Sequence, residues 1–600
     1  MEGKYVLEVC NPRGVRKEAI RGLTAPRIPT IEGKRIAVIY TLPESVFFSR
    51  ALAKLMQEKY PTAKVDCMQV GIQTIEENIA LLRKYDAYID GVRLSGGWQT
   101  EPPVEYEKVG IPGIHMCMDT MLRQAQFSML SHGMPTLRIV SIPAMKWINC
   151  ENKPEKYPPV AEYMLDEVVR ALTDPLTEAE MNPPPCDFDF GNMFFEGKDY
   201  DEALRKFQEY FVEKAMSDGL PVVPPTPGAV EAMLAGTSRD RNEVLEGVMQ
   251  PGNGIVTIEK IAINAVMAGA KPEYLPVIIT AVELLIDPGF LSWHALAAIN
   301  SDQLLINVSG PIARELGMSC GGAFLGPGNS VNNTIGRAVS LCALNLGWIE
   351  YETHGGMYGQ PSRFCNLVFT ENEELSPWET YSVSRGFSPE DSTVMVEEVF
   401  YIDGVFQLGD MAMPSGLWTR GIEGDLLTLV NKAVGDRPAL MTAIKGSDNI
   451  HAVSNFAGGG DIIPMLNGRT YAIILYPGQA KQLADAGYTR ESLARYIADY
   501  KAIPWEAFDE KVQASILKVA RSGKFPGLTE DNCRAGGKIP VMNTNRLAIF
   551  VAGHMSGQTL GFMCMGSYGG KFTKTVGVDP CDPPYHIKKI TGATLTKAGR

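Results

Sequence analysis

The chain has 600 residues, 45% hydrophobic and 21% charged, with a formal net charge of −13. That length exceeds what one hydrophobic core organises, so two to four domains are expected. Acidic and basic residues are interspersed, which excludes the clustered Lys/Arg surface that nucleic-acid binding needs.

No uncharged apolar run reaches the roughly 18 residues of a membrane span, and the opening MEGKYVLEVCNPRG lacks the apolar stretch of a signal peptide. The most apolar segment, IAINAVMAGAKPEYLPVIITAVELLI, is interrupted by Lys271, Pro272, Glu273 and Pro276 and predicts two buried helices joined by a turn. The 11 cysteines include no CxxC pair. Reduced thiols in a cytoplasmic protein are therefore expected, rather than disulfides or a zinc ribbon.

In chain order, RIAVIY (35–40) predicts a strand, SVFFSRALAKLMQEKY an amphipathic helix capped by Ser45, KVDCMQV a strand, and TIEENIALLRKY a helix with Thr74 at its N-cap. DAYIDGV, IPGIHMCM and TLRIVSIP predict the third to fifth strands, separated by the helices PVEYEKVG and DTMLRQAQFSMLSHG. Repeated strand-helix units imply a parallel, doubly wound, flavodoxin-like α/β sheet over residues 1–150. Residues 151–195 (NKPEKYPP, NPPPCDFDFGN) read as a Pro-rich linker. A Gly/Asn-rich α+β domain follows over 196–420, opening with the helix EALRKFQEYFVEKAMSDG, and a C-terminal α/β section over 421–600 contains YAIILYPG, RESLARYIADY and RLAIFVAG.

Ligands of doubly wound sheets sit beyond the carboxyl ends of the strands, where strand order reverses. GVRLSGGWQT (Gly91–Thr100) falls at such an end, where Gly96 and Gly97 let backbone amides approach a ligand beside Ser95 and Trp98. A plain turn is the competing reading. His115 and Cys117, two apart on the fourth strand, share a face and form either a Cys/His nucleophile or core packing.

GAFLGPGNSVNNTIGRAVSLCALNLGW joins a Gly-Pro-Gly turn, with Gly328, Asn329 and Asn333, to a helix carrying Arg337, an arrangement suited to an anion or simply to helix packing. Asn307 is a further substrate-binding candidate. Glu371, Glu373 and Glu374 in FTENEELSPWE, together with His451, His354 and His554, are acid/base candidates. No His and carboxylate set has metal-ligand spacing. No cofactor is predicted, and a divalent metal is left open.

KYDAYIDGVRLSGGWQTEPPVEYEKVGIPGIHM resembles the segment of the UGSC-motif (seleno)protein family in which a DAxxxGV strand runs into a selenocysteine-Gly-Ser-Cys loop followed by a GIP strand. DGLPVVPPTP, TIEKIAINAVMAGAKPEYLPVII, INVSGPIARELGM, LGPGNSVNNTIGRA and ENEELSPWE resemble the family's larger members. Alignment on Gly96 puts Ser95 where the family has selenocysteine or cysteine, and Trp98 where it has the second cysteine. The resemblance thus implies a divergent member without thiol redox chemistry at this loop.

The expectation is an enzyme acting on a small, anionic organic substrate by non-redox acid/base chemistry, lyase-like or hydrolase-like, in a cleft between the first two domains. The catalytic candidates are Ser95, Glu371, Glu373, His451 and Cys117. The alternatives are a thiol-dependent oxidoreductase or persulfide carrier using Cys117 or Cys365, and a non-catalytic binding protein. The apolar helices of the second domain suggest a homo-oligomer.

Overall fold

The computed structural model describes residues 4–41, 45–71, 75–93, 101–185, 191–287, 290, 292–297, 303–354, 361–404, 470–508, 510–522, 528–539, 547–555, 560–564 and 586–594. Strand β1 (Tyr5–Val9) comes first in the chain but pairs far away. The first sheet is built from β2 (Arg35–Tyr40), β3 (Lys64–Gln69), β4 (Ala87–Arg93), β5 (Gly113–Met118) and β6 (Ile139–Ile142). All neighbours are parallel, in the order β3-β2-β4-β5-β6. Between them run α1 (Val46–Lys59), α2 (Ile75–Leu82), α3 (Glu101–Lys108) and α4 (Leu122–Ser131).

The pleat explains the two buried faces. Ile36, Val38, Ile89 and Ile114 pack with Phe48, Leu52 and Met56 of α1, whereas Ala37, Ile39 and Tyr88 pack with Leu82 of α2 and Tyr106 of α3. After β6 come α5 (Ala144–Ile148) and α6 (Pro158–Thr173). The stretch read as a linker therefore supplies a 16-residue helix whose Val160, Met164 and Val168 complete the α1 face. Its Pro158-Pro159 start sits at the first helical positions, where a missing N–H costs nothing. Ser45 precedes α1 as expected but makes no capping bond, because its own backbone is helical (φ −86, ψ −6) and a capping side chain needs an extended residue.

β1 pairs antiparallel with β7 (Met193–Gly197), so the N-terminal residues lie against the chain that follows α6. The Lys17 and Ile255 amides donate to the carbonyls of Asn253 and Val15. The long apolar run forms the two expected buried helices, Ile258–Met267 and Leu275–Leu285, and the helix Ser330–Leu346 packs beside them.

The second sheet takes β8 (Gln303–Ser309), β9 (Leu367–Phe369) and β10 (Thr393–Gly404) from one side of residue 420. From the other side come β11 (Thr470–Leu475) and, beyond the short pair β12 (Ile503–Pro504) and β13 (Lys538–Ile539), β14 (Leu547–Val551), β15 (Leu560–Cys564) and β16 (His586–Lys589). The order is β14-β11-β15-β10-β8-β9, with β16 beside β10. Its two ends meet: Phe369 and Phe550 stack edge to face at 5.1 Å, and the Asn372 amide donates to the Val551 carbonyl at 2.8 Å. The sheet thus curls around Leu305, Phe369, Met395, Val399, Ile474 and Phe550. Leu304, Ile306, Val308, Val394 and Val396 point outward into the helical core.

Candidate active site in the first sheet

Asp90 and His115 are register partners on β4 and β5, on the face shared with Tyr88. His115 Nδ1 lies 2.8 Å from Asp90 Oδ2, and both side chains are fully buried. An ionised carboxylate only accepts, so Nδ1 carries the hydrogen of this bond and Nε2 is the nitrogen left for another partner. Nε2 is buried without a hydrogen-bond partner among the described residues. A base aligned by a carboxylate, with its second nitrogen unused, is the arrangement that proton abstraction requires.

The pairing of β4 with β5 shifts between Asp90 and Arg93, a local irregularity of the kind found beside active sites. On the opposite face, a Cβ at Gly91 would stand 2.8 Å from both the Ile39 carbonyl and Ser49 Oγ, so only glycine fits where β2 and β4 diverge. Ser49 Oγ and Thr41 Oγ1 are buried there, without partners among the described residues.

The second domain lies along α4. Gln124 Nε2 donates to the Ala297 carbonyl at 2.7 Å, Asn253 Nδ2 donates to the Ser131 carbonyl at 3.2 Å, and Arg123 stands 3.7 Å from Glu350. His354 packs edge-on against Phe127 at 4.4 Å and accepts the Glu350 amide on Nδ1. Burial, reinforced by Arg123 and Arg16, drives its pKa from 6.5 to about 3.

The folded state therefore refuses a proton that the unfolded chain takes. The stabilisation is complete above about pH 6.5 and is lost as pH falls toward 3, at about 1.4 kcal/mol per pH unit. His354→Phe is expected to flatten this slope in urea titrations between those limits. An unchanged slope would place the acid sensitivity elsewhere.

Ser95, Gly96, Gly97 and Trp98 fall in 94–100, and His451 in 405–469, outside the described residues. Cys117 is buried beside Asp119, its thiol pushed up to about 12, and burial also raises Cys365. Raised thiols are poor nucleophiles.

The other candidates are engaged elsewhere. Asn329 Nδ2 donates to the carbonyls of Ala323 (2.6 Å) and Gly326 (3.1 Å), and Asn333 Nδ2 to Gly326 (3.1 Å), so these amides brace the glycine-rich turn that ends at Gly328 (φ 94). Arg337 grips Asp218 with both arms of its fork, at 2.8 and 2.9 Å, which already balances its charge. Glu373 pairs with Arg314 near the surface. The His554 ring lies against Gly322.

Glu371 is buried in the curled sheet and accepts from the Tyr381 and Val551 amides and from Arg490, at 2.6, 3.1 and 3.1 Å. Asn307 lies inside the same sheet. The structure thus pairs His115 with Asp90 and gives the Asn329, Asn333, Arg337 and Glu371 side chains partners of their own.

Asp90 was not among the sequence candidates. Its signal was a lone carboxylate inside the apolar strand DAYIDGV, because a buried charge needs a partner. Among the described residues, no cluster of three or more His, Cys, Asp or Glu could hold a metal ion, and no helix is long and apolar enough to cross a membrane.

Neither a curated protein nor a solved structure matches the chain. Residues 8–174 match the UGSC family model, a span that contains the whole parallel sheet, α6 and the Asp90–His115 pair. The similarity to the UGSC family is thus confined to this N-terminal part of the chain.

Proposed function

We propose that the protein is an enzyme that acts on a small, anionic organic molecule by proton transfer, hydrolase-like or lyase-like, where the carboxyl edge of the first sheet faces the second domain. The observation that carries this reading is the unpartnered Nε2 of His115, whose other nitrogen is held by Asp90. His115 is the general base and Asp90 its positioning residue. The strand order is the flavodoxin-like one, whose ligands bind where β2 and β4 part. Arg123, beside Glu350, and Arg16 both act on His354, and their positive charge favours an anion at this boundary. Ser95, two residues beyond β4 in sequence, is the nucleophile in the hydrolase-like case.

The raised pKa values of Cys117 and Cys365 favour this reading over a thiol-dependent oxidoreductase. The test is a panel of small carboxylate-bearing esters, amides and hydroxy acids. His115→Gln and Asp90→Asn are each expected to lower kcat by about 10²–10⁴-fold, read at a temperature where each variant is folded, because loss of a buried partner also lowers the thermal midpoint. Ser95→Ala abolishes turnover only if the reaction is hydrolytic. Full activity in the first two variants rejects the site. Calorimetric binding without turnover would leave a binding protein instead.

A further inference from the structure

We infer that the boundary where α4 meets the short helix Tyr351–His354 binds a small oxyanion, a carboxylate or a phosphate, through the imidazole Nε2–H of His354 beside Arg123 and Arg16. Side chains converge there from three segments. Arg123 and Phe127 are one turn apart on α4 and so share a face. The His354 ring stands edge-on to Phe127 at 4.4 Å, and the Arg16 guanidinium lies 5.2 Å from the same ring. Glu350, four residues before His354, stands 3.7 Å from Arg123.

His354 is 1% exposed, and its Nδ1 accepts the Glu350 amide at 3.1 Å. The ring is neutral near pH 7, so its one N–H hydrogen sits on Nε2. That donor is buried and has no hydrogen-bond partner among the described residues. Leaving a buried donor unmet is costly. Neither nitrogen has a lone pair to spare, so the missing partner is an acceptor and not a cation.

The charges that act on the ring favour an anionic acceptor over a neutral one. Among the described residues these are Arg123 and Arg16, both positive, and Glu350 reaches the ring by its backbone amide. The Glu350 carboxylate instead takes the Thr353 hydroxyl at 3.1 Å and faces Arg123 and Arg13. The unmet acceptor nearest in sequence, Asn345 Oδ1, belongs to another cluster, in which Asn345 Nδ2 donates to Asn264 Oδ1 and to the Met216 carbonyl. The Arg123 and Glu350 side chains are 64% and 45% exposed, so the cluster borders solvent and a ligand approaches it from the surface. Read as the anionic end of the substrate, the bound group deepens the proposed function and rests on it; as a binding site it does not.

Calorimetric titration of the full chain with acetate and with inorganic phosphate, against neutral acetamide, tests the site. At least one oxyanion is expected to bind saturably at millimolar concentration, more weakly as salt rises, with acetamide about tenfold weaker or worse. The tighter of the two oxyanions tells a carboxylate site from a phosphate site. His354→Phe keeps a ring against Phe127 but removes the donor, and should weaken the oxyanion about tenfold. Arg123→Gln, at an exposed position, should weaken it by a smaller factor and Arg123→Lys should restore it; this pair is the readout if His354→Phe fails to fold. With a substrate in hand, His354→Phe should raise KM and spare kcat. Three results would each overturn the site: no saturable oxyanion binding, equal affinity for acetamide, or unaltered affinity in the folded variants. His115→Gln should leave oxyanion binding unchanged, so failure of the proposed reaction and failure of this site are read separately.

Discussion

Glu371→Ala is expected to lower the unfolding free energy by about 3–5 kcal/mol, because removing one member of a buried ion pair strands the other. The stranded groups are the Arg490 guanidinium and the amides of Tyr381 and Val551, which belong to three separate segments of the curled sheet. Urea unfolding followed by circular dichroism measures the loss. Glu373→Ala, two residues on, removes a half-buried partner of the exposed Arg314 and should change stability by about 1 kcal/mol or less. The contrast separates two carboxylates that look equivalent in ENEE. A Glu371→Ala protein of native stability that loses turnover would instead make that carboxylate a participant in the chemistry.

Trp348→Ala should cost a similar amount, about 3–5 kcal/mol, as buried aromatic-to-alanine changes do. Trp348 is 4% exposed, its indole N–H donates to the Gly14 carbonyl at 2.9 Å, and it is sandwiched between Arg13 at 4.4 Å and Arg16 at 4.6 Å. Arg16 lies in turn over Phe127 of α4 at 5.2 Å, so the stack joins the N-terminal segment, the second domain and the first. Trp348 holds this place at φ 54, in the left-handed region that glycine usually fills after a helix, so the contacts outweigh the strain. Hydrogen exchange at the Lys17 and Ile255 amides should accelerate in the variant. Unchanged exchange would mean that the N-terminal segment is anchored by β1 and β7 alone.

The five parallel strands were legible because each is an apolar run of the right length between helical patterns, and burial on both faces leaves that signature in local composition. Helix α6 was hidden by its prolines, which mark a linker and a helix start equally well. The curled sheet was not legible, because β8–β10 and β11–β16 are separated by more than sixty residues, and strand pairing across such a gap leaves no local period. His115 was recognised as a candidate, but Asp90 was not: a carboxylate acquires its partner only when β4 and β5 come into register.

By itself, the amino-acid order determined the alternation of strand and helix in the first sheet and the pair of buried apolar helices, because each is written within neighbouring residues. Tertiary structure alone decided which polar groups are satisfied. It closed Arg337 onto Asp218 and Glu371 onto Arg490, and left Nε2 of His115 and the amide of Asn307 unmet, since hydrogen bonding depends on distance in space and not on separation along the chain.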